Sequence, residues 1–442
     1  MKSLIKKLIP KPLLAVYHKS LAILAKVFYG NTSDKMIVIG VTGTNGKSST
    51  VKLIANVLES HGAKVGATST VEFKVAGKEW LNNTKMTMLG RFALQKLLKQ
   101  MNDAGCKYAV VEVSSEGIVQ YRHYGINFDY VVFTNLTPEH IESHGGFENY
   151  KKAKGKLFEF LMQRPRKKLN GQEIKKVIVA NKDDEHSDYF LSFKADKKLI
   201  FSTKDEISDV YANNILISPN GTSFDIGDKK INLKLIGAFN VYNCLPAVAI
   251  GLNEGITMEK IINALQKIKV IPGRMESIDE GQNFNVIVDY CPEPYSMKKM
   301  YETVDLMQIN KIIHVLGSCG GGRDVARRPI LGKMAGEKAD YVIVTNEDPY
   351  DDDPQEIIDQ VAAGALEAGK ILNQNLFKIL YRKKAIEKAV SLANENDLVL
   401  ITGKGSEQAM VVKNLKKISW DDRQVAREVI KTSATSNISK TI

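Results

Sequence analysis

Gly43-Thr44-Asn45-Gly46-Lys47-Ser48-Ser49 is the stretch on which the reading of this chain turns. An apolar run, residues 36–41, leads into it, and a helix-like segment, residues 51–60, follows. A strand, a glycine loop and a helix in that order make a phosphate-binding loop. Glycine lets backbone N–H groups close around phosphate oxygens, and the following helix aims its positive end at the anion. Lys47 supplies a point charge for the outer phosphates of ATP, and the Ser48 hydroxyl is placed for Mg²⁺. The seven residues of the loop, Gly43 to Ser49, are the candidate nucleotide contacts. The spacing is shorter than the general G-x-x-x-x-G-K-[ST] pattern, because Val41 stands where its first glycine would be.

Outward from the loop, strand-like and helix-like segments alternate. Strands are expected at 36–41, 108–113, 129–134 and 177–181, and helices at 48–61, 91–104 and 150–162. That order predicts a mainly parallel sheet covered by helices. A more β-like stretch covers 198–235, with Pro219-Asn220-Gly221 as a turn signal, and helices follow near Asn240 and over 258–269. Pro272-Gly273 reads as a junction. Beyond it come strands at 285–290, 311–316, 341–345 and 397–402 with helices at 295–305, 328–338, 354–368 and 383–394. This is the pattern of a smaller Rossmann-like α/β domain. The expected division is a basic segment 1–35, an ATP-binding domain 36–272 and a second domain 273–442. The Ser/Thr-rich end, residues 431–442, is expected to fray.

A chain of 442 residues has room for two or three domains, and 44% hydrophobic with 25% charged residues is the balance of a globular protein. The four cysteines form no C-x-x-C pair, which suggests neither a zinc site nor a disulfide framework and fits a cytoplasmic setting. Half of the +12 net charge lies in residues 1–30, which hold six lysines and no acid. No recognition motif accompanies the charge, so nucleic acid is not an expected partner. From residue 13 to 28 the pattern is helical, with Tyr17, Leu21, Leu24 and Phe28 on one face and Lys19 and Lys26 opposite. That is either a membrane-surface helix or a helix packed on the body with its lysines in water. No run of about 18 apolar residues exists, so no membrane span is expected.

Two further stretches bear on the site. Glu112 follows a strand-like run, and a carboxylate there sits at the ligand-binding edge of an open α/β sheet, as a candidate metal ligand. His140, in Thr134-Asn135-Leu136-Thr137-Pro138-Glu139-His140 after the next strand, is a candidate metal ligand or phosphate contact.

Taken with the loop, nine stretches resemble the Mur ligase family, and within it the branch that adds the third residue of the peptidoglycan peptide. They are VTGTNGKSST (41–50), VEVSSEGIVQYR (111–122), TNLTPEHIESHG (134–145), ENYKKAKGKLF (148–158), GAFNVYN (237–243), PGRME (272–276), VDY (288–290), GGGRD with RRP (320–329), and GKGSE with DDR (403–423). The resemblance implies ATP and two Mg²⁺ ions. Lys47 and Ser48 would act on the phosphates and the first ion, with Glu112 as its other ligand. His140 would hold the second ion, supported by a carbamylated Lys154. Asn240 and Asn243 match the adenine segment, and Arg274 and Asp289 match residues that reach phosphates and ribose. Ser114, Gln120 and Arg122 match contacts to a muramyl-peptide donor, and Asp348 and Glu407 match the end that meets the amino acid acceptor. The implied reaction is amide formation through an acyl phosphate, in cell-wall synthesis.

The sequence departs from the family's pattern in places. Only about 35 residues precede the first strand, too few for the UDP-holding domain expected there. A family branch acting on lipid-linked wall precursors shares that feature, and a basic amphipathic start suits a membrane-bound donor at the inner face. Tyr350 stands where an arginine grips the second carboxylate of diaminopimelate, which favours lysine or another amino acid. Asp351, Asp352 and Asp353 are either an attraction for a cationic side chain or a solvated acidic loop. Pro292 replaces a nucleotide-contacting histidine, Ser406 and Glu116 stand where histidines are usual, and Asn83-Thr84-Lys85-Met86 lacks the usual Thr-Thr-Pro. Alternatives are a ligase for a lipid-linked or other acid, and a non-catalytic nucleotide-binding scaffold. The oligomeric state is not legible.

Overall fold

The computed structural model describes residues 11–438 apart from His140 and Pro219. Helix α1 (Lys11–Phe28) precedes the first strand, β1 (Ile37–Thr42). Every residue of β1 is buried, as expected for a central parallel strand with helices on both faces. Then come α2 (Lys47–Glu59), the strands β2 (Val65–Thr68), β3 (Glu72–Val75) and β4 (Lys78–Leu81), α3 (Arg91–Asp103), β5 (Tyr108–Glu112), the short α4 (Ser115–Val119), β6 (Tyr130–Phe133) and α5 (Phe147–Leu161). β7 (Val177–Asn181), β8 (Lys197–Ser202) and β9 (Val210–Tyr211) complete the sheet, whose order is β9-β8-β7-β6-β1-β5-β2-β3-β4. It is parallel except for β3 and β4.

The β-rich stretch after it is an antiparallel meander of β10 (Asn213–Ser218), β11 (Gly221–Ile226) and β12 (Lys229–Leu233). Helices α6 (Phe239–Asn253) and α7 (Met258–Gln266) return to the first sheet. Apolar side chains of α2, α6 and α7 fill one face of it, and those of α3 and α5 the other.

The second unit starts with β13 (Glu276–Ser277) and β14 (Asn285–Asp289), followed by α8 (Pro294–Val304), β15 (Ile312–Leu316), α9 (Arg327–Lys338), β16 (Tyr341–Thr345), α10 (Pro354–Glu367), β17 (Leu376–Ile379), α11 (Arg382–Leu392) and β18 (Leu398–Thr402). Its sheet order is β13-β14-β18-β15-β16-β17, with only β13 antiparallel. A hairpin of β19 (Ala409–Val412) and β20 (Lys416–Ser419) leads to α12 (Asp422–Ile438). That helix continues past Lys431, where fraying was expected; residues 439–442 lie outside the described residues. The buried ion pair of Arg382 with Asp422, at 2.8 and 2.7 Å, ties α11 to the start of α12.

The site follows from register. β1 lies between β5 and β6, with Val41 opposite Glu112 and Thr42 opposite Phe133. The carboxyl ends of three adjacent strands therefore bring Glu112, the 43–46 loop and the 134–137 segment to one crest, where an open α/β sheet binds its ligands.

Candidate active site

Two glycines shape the loop. Gly43 (φ +154°) lies so close to Thr134 that a Cβ would sit 1.9 Å from its Oγ1, and a Cβ on Gly46 (φ +81°) would sit 2.1 Å from Asn243 Oδ1. Both positions require glycine's freedom and its small size. The neighbouring strand then holds the loop: Thr44 N–H donates to Asn135 O at 2.8 Å and Asn45 N–H to Asn135 Oδ1 at 2.8 Å. Lys47 curls over it, its Nζ 2.6 Å from Thr44 O.

Ser48 donates to Glu112 Oε2 at 2.7 Å. Thr70, in the turn between β2 and β3, donates to the same carboxylate from its N–H (2.7 Å) and hydroxyl (3.0 Å). A hydroxyl and a fixed carboxylate at the start of the loop helix form a hard-oxygen pair of the kind Mg²⁺ takes. Lys154 on α5 is buried, its Nζ 2.7 Å from Gly43 O and 4.5 Å from the Tyr150 ring centre. Burial first, then the nearby Lys47 charge, holds its ammonium well below the usual lysine range. A neutral amine is the form that carbon dioxide can carbamylate. His140 lies outside the described residues.

On α6, Asn243 donates to Asn240 Oδ1 at 3.2 Å and Asn240 to Ile236 O at 2.9 Å, so the pair is braced against the loop. Arg274 lies 4.5 Å over the Tyr290 ring, and Asp289 accepts Met275 N–H at 2.7 Å. Burial raises the Asp289 carboxyl against the opposing pull of Arg274. Loop, Asn243, Arg274 and Asp289 all line one cleft of about 590 Å³ between the two sheets. Glu293 joins the units across it, capping α8 and accepting from Asn45 Nδ2 at 3.0 Å.

The cleft is also lined by Lys85, Asp348 and Glu407, which form a group of four charges with the buried Lys404. Lys404 Nζ lies 2.9 Å from Asp348 Oδ1 and 2.6 Å from Glu407 Oε2. Lys85, from the first unit, pairs with Asp348 and lies 2.9 Å from Glu407. Burial would raise the Asp348 carboxyl, but Lys404 and Lys85 outweigh it and hold it low.

Not every candidate reaches the cleft. Ser114 caps α4, accepting Gly117 N–H at 3.1 Å, while Gln120 and Arg122 bond each other at 2.8 Å; none of the three lines it. The acidic run turns to local partners. Asp351 accepts Asn414 N–H at 2.8 Å, Asp352 accepts Gly321 N–H at 3.1 Å, and Asp353 caps α10. Glu347 and Asp348, just before them, both line the cleft. Lys85, Thr70, Glu293 and Lys404 were not among the sequence candidates. Lys404 lay inside GKGSE and Lys85 inside Asn83-Thr84-Lys85-Met86, whereas Glu293 lay outside the quoted motifs and the turn carrying Thr70 had no signal.

A phosphate loop, a carboxylate fixed beside its serine and a second Rossmann-like unit across a shared cleft define a two-unit nucleotide-binding α/β protein. Two family profiles match: the Mur ligase middle domain over residues 41–251 and the Mur ligase, glutamate ligase domain over residues 273–405. The chain belongs to the Mur ligase family. It is 37% identical over 430 residues to the UDP-N-acetylmuramoyl-L-alanyl-D-glutamate–2,6-diaminopimelate ligase of Geobacillus kaustophilus, covering 96% of this chain and 84% of that one. It is 36% identical over 432 residues to a UDP-N-acetylmuramyl-tripeptide synthetase of a Roseiflexus species, with the same coverage. A solved diaminopimelate ligase superposes with a TM-score of 0.59 at 28% identity, over 90% of this chain and 79% of that one. The fold also matches the ADP complex of Mycobacterium tuberculosis folylpolyglutamate synthase, at 0.69 and 16% identity over 87% and 91% of the two chains.

Proposed function

We propose that this chain is an ATP-dependent ligase that joins an amino acid to the carboxylate of a muramyl peptide in peptidoglycan synthesis. The observation that carries the reading is one cleft lined both by the phosphate loop and by Lys85, Asp348 and Glu407 of the charged group that Lys404 completes. A nucleotide at the loop and an amino acid at the charged group would share that cleft with the donor carboxylate.

A carboxylate is a poor electrophile, so the terminal phosphoryl group of ATP is first transferred to it, giving an acyl phosphate and ADP. The acceptor amine attacks the acyl carbon, loses a proton, and phosphate leaves. Lys47 is assigned to the phosphates, and Ser48 with Glu112 is the pair that would hold a first Mg²⁺. His140 and a carbamylated Lys154 are the proposed holders of a second. Bound Mg²⁺ supplies neutralisation of phosphoryl charge. Asn240 and Asn243 are assigned to adenine, Arg274 and Asp289 to ribose and phosphates, and Ser114, Gln120 and Arg122 to the donor. Asp348 and Glu407 are assigned to the acceptor. Closure of residues 273–442 over residues 36–272 would keep water from the acyl phosphate. Tyr350 lines the cleft where the family's arginine would stand, with Arg323 in electrostatic reach of it; the loss of the arginine at this position supports an acceptor other than diaminopimelate. The proposed setting is the cytoplasm, with the basic N-terminal segment against the inner face of the membrane. The test of the chemistry is isotopic. Heavy oxygen in the donor carboxylate must appear in the released phosphate, and its retention in the amide product alone would sink the acyl-phosphate route.

A further inference from the structure

Helix α1 packs on the body with the wrong face for an ordinary surface helix. The residues it buries are small or polar: Ala22, Ala25 and His18. The approach is close, since a Cβ on Gly125 would lie 2.7 Å from Ala22 O. Seven of its large apolar residues point outward. Leu13, Val16, Tyr17, Ile23, Leu24, Val27 and Phe28 range from 46% exposed at Ile23 to 72% at Phe28. At 100° per residue they fall on one arc of about 140°, which contains Ser20 and no charge. Ordinary amphipathic packing would put these side chains inside.

The lysines are held at the edges of this face. Lys26 pairs with Asp34 at 2.8 Å, and Lys19 lies 5.0 Å over the Tyr121 ring and 5.4 Å over that of Tyr124. The face continues onto α3 through Phe92, 6.3 Å from Phe28 between ring centres, with exposed Lys96 and Lys99 on later turns of that helix. Residues 1–35 contain seven lysines against one acid, Asp34. A second copy seated on this face would bring two such lysine rims together. An anionic lipid surface meets both features, taking apolar side chains below the headgroups and lysines among the phosphates. Among the described residues no helix is long and apolar enough to cross a membrane, so the geometry is that of a helix lying on one.

We propose that α1 docks the protein on an anionic bilayer, its charge-free outer face entering the headgroup boundary, with the positive charge along its rim and at exposed Lys96 drawing the lipid phosphates. The body beneath α1 is the turn at residues 121–125, which holds Arg122, and α3, where Arg91 donates to Gln120 O. Docking therefore holds the segment assigned to the donor next to the lipid surface. The inference rests on the proposed setting at the membrane and not on the ligase chemistry.

The test is flotation of the full chain with vesicles of phosphatidylcholine alone or mixed with phosphatidylglycerol. Binding is expected on the mixed vesicles, at least about tenfold weaker on neutral ones and in high salt. The double variant Val16→Glu with Leu24→Glu is expected to lose at least about tenfold more, while phosphate release on a soluble donor stays unchanged. A gentler variant, Phe28→Trp, should show blue-shifted emission with mixed vesicles. Absence of flotation, flotation indifferent to the double variant, or an unshifted tryptophan would each overturn the proposal. So would a concentration-dependent dimer that the double variant dissolves, which would make the face a self-interface. A chain that floats but never releases phosphate would sink the ligase reading and leave the docking standing.

Discussion

Replacing Lys85 by Met removes one charge from the group that joins the two units and keeps most of the side-chain stem. The group is neutral as built: Lys85 and Lys404 face Asp348 and Glu407. The side chains of Lys85, Asp348 and Lys404 are 6, 4 and 0% exposed, and Glu407 is 15% exposed. Lys85→Met leaves two carboxylates sharing Lys404. Removing one partner of a buried pair costs about 3–5 kcal/mol. Water reaches Glu407 and relieves part of that, so the low end, about 3 kcal/mol, is the working figure, or roughly a hundredfold in an equilibrium. Lys85 sits at φ +58°, and Met carries the same backbone strain, so the change isolates the charge. Because Lys85 belongs to the first unit and its partners to the second, the loss falls on closure more than on either core. Amide exchange around residues 82–87 and 403–411 should quicken by about that factor while exchange in β1 and β18 holds. Adding Asp348→Asn should recover part of the loss, as a coupled pair does in a double-mutant cycle. Unchanged exchange in Lys85→Met, or strictly additive effects, would refute the reasoning.

Lys154→Ala is expected to cut phosphate release by at least about a hundredfold, with part restored by small carboxylic acids, in a steady-state assay; full activity would remove the carbamate assignment. His314 is buried between Tyr301 OH (2.6 Å) and Thr402 Oγ1 (2.9 Å), and burial, aided by Arg382, lowers its pKa to about 3. The unfolded chain, with an ordinary value of 6.5, binds the proton first on acidification. Stability should therefore fall as pH drops from about 6.5 towards 3, by up to about 1.4 kcal/mol per pH unit from this group. Denaturant titrations of His314→Gln should show a shallower slope over that window, and an equal slope would discount the group. Tyr350→Arg should raise use of diaminopimelate relative to lysine in competition assays; an unchanged ratio would mean the acceptor is read elsewhere.

The parallel strands were legible because they are short apolar runs ending in turn residues; β7 and β16 fall on the expected residues. The loop was legible because its glycines and Lys47 are contiguous. Three kinds of feature were not. The hairpin of β3 and β4 is half-exposed and alternates too weakly to announce itself. The group at Lys85 joins residues far apart in the chain, and nothing local marks a lysine as ion-paired. For α1 the periodicity was plain, but its orientation was not. The sequence put Leu21 with Tyr17, Leu24 and Phe28, whereas Leu21 turns half under the helix and the lysines bind the body. Which stripe of a helix meets the protein depends on how closely its neighbours approach, here at Gly125.

The central claim is that one cleft joins an acid to an amine at the expense of ATP. Phosphate release with ATP and Mg²⁺ should be measured with a UDP-linked muramyl dipeptide, with a panel of amino acids, with both, and with neither. The account predicts ADP and phosphate in equal amounts with amide product only when both substrates are present. Nucleotide binding without turnover under all four conditions, or release indifferent to the amine, would contradict it.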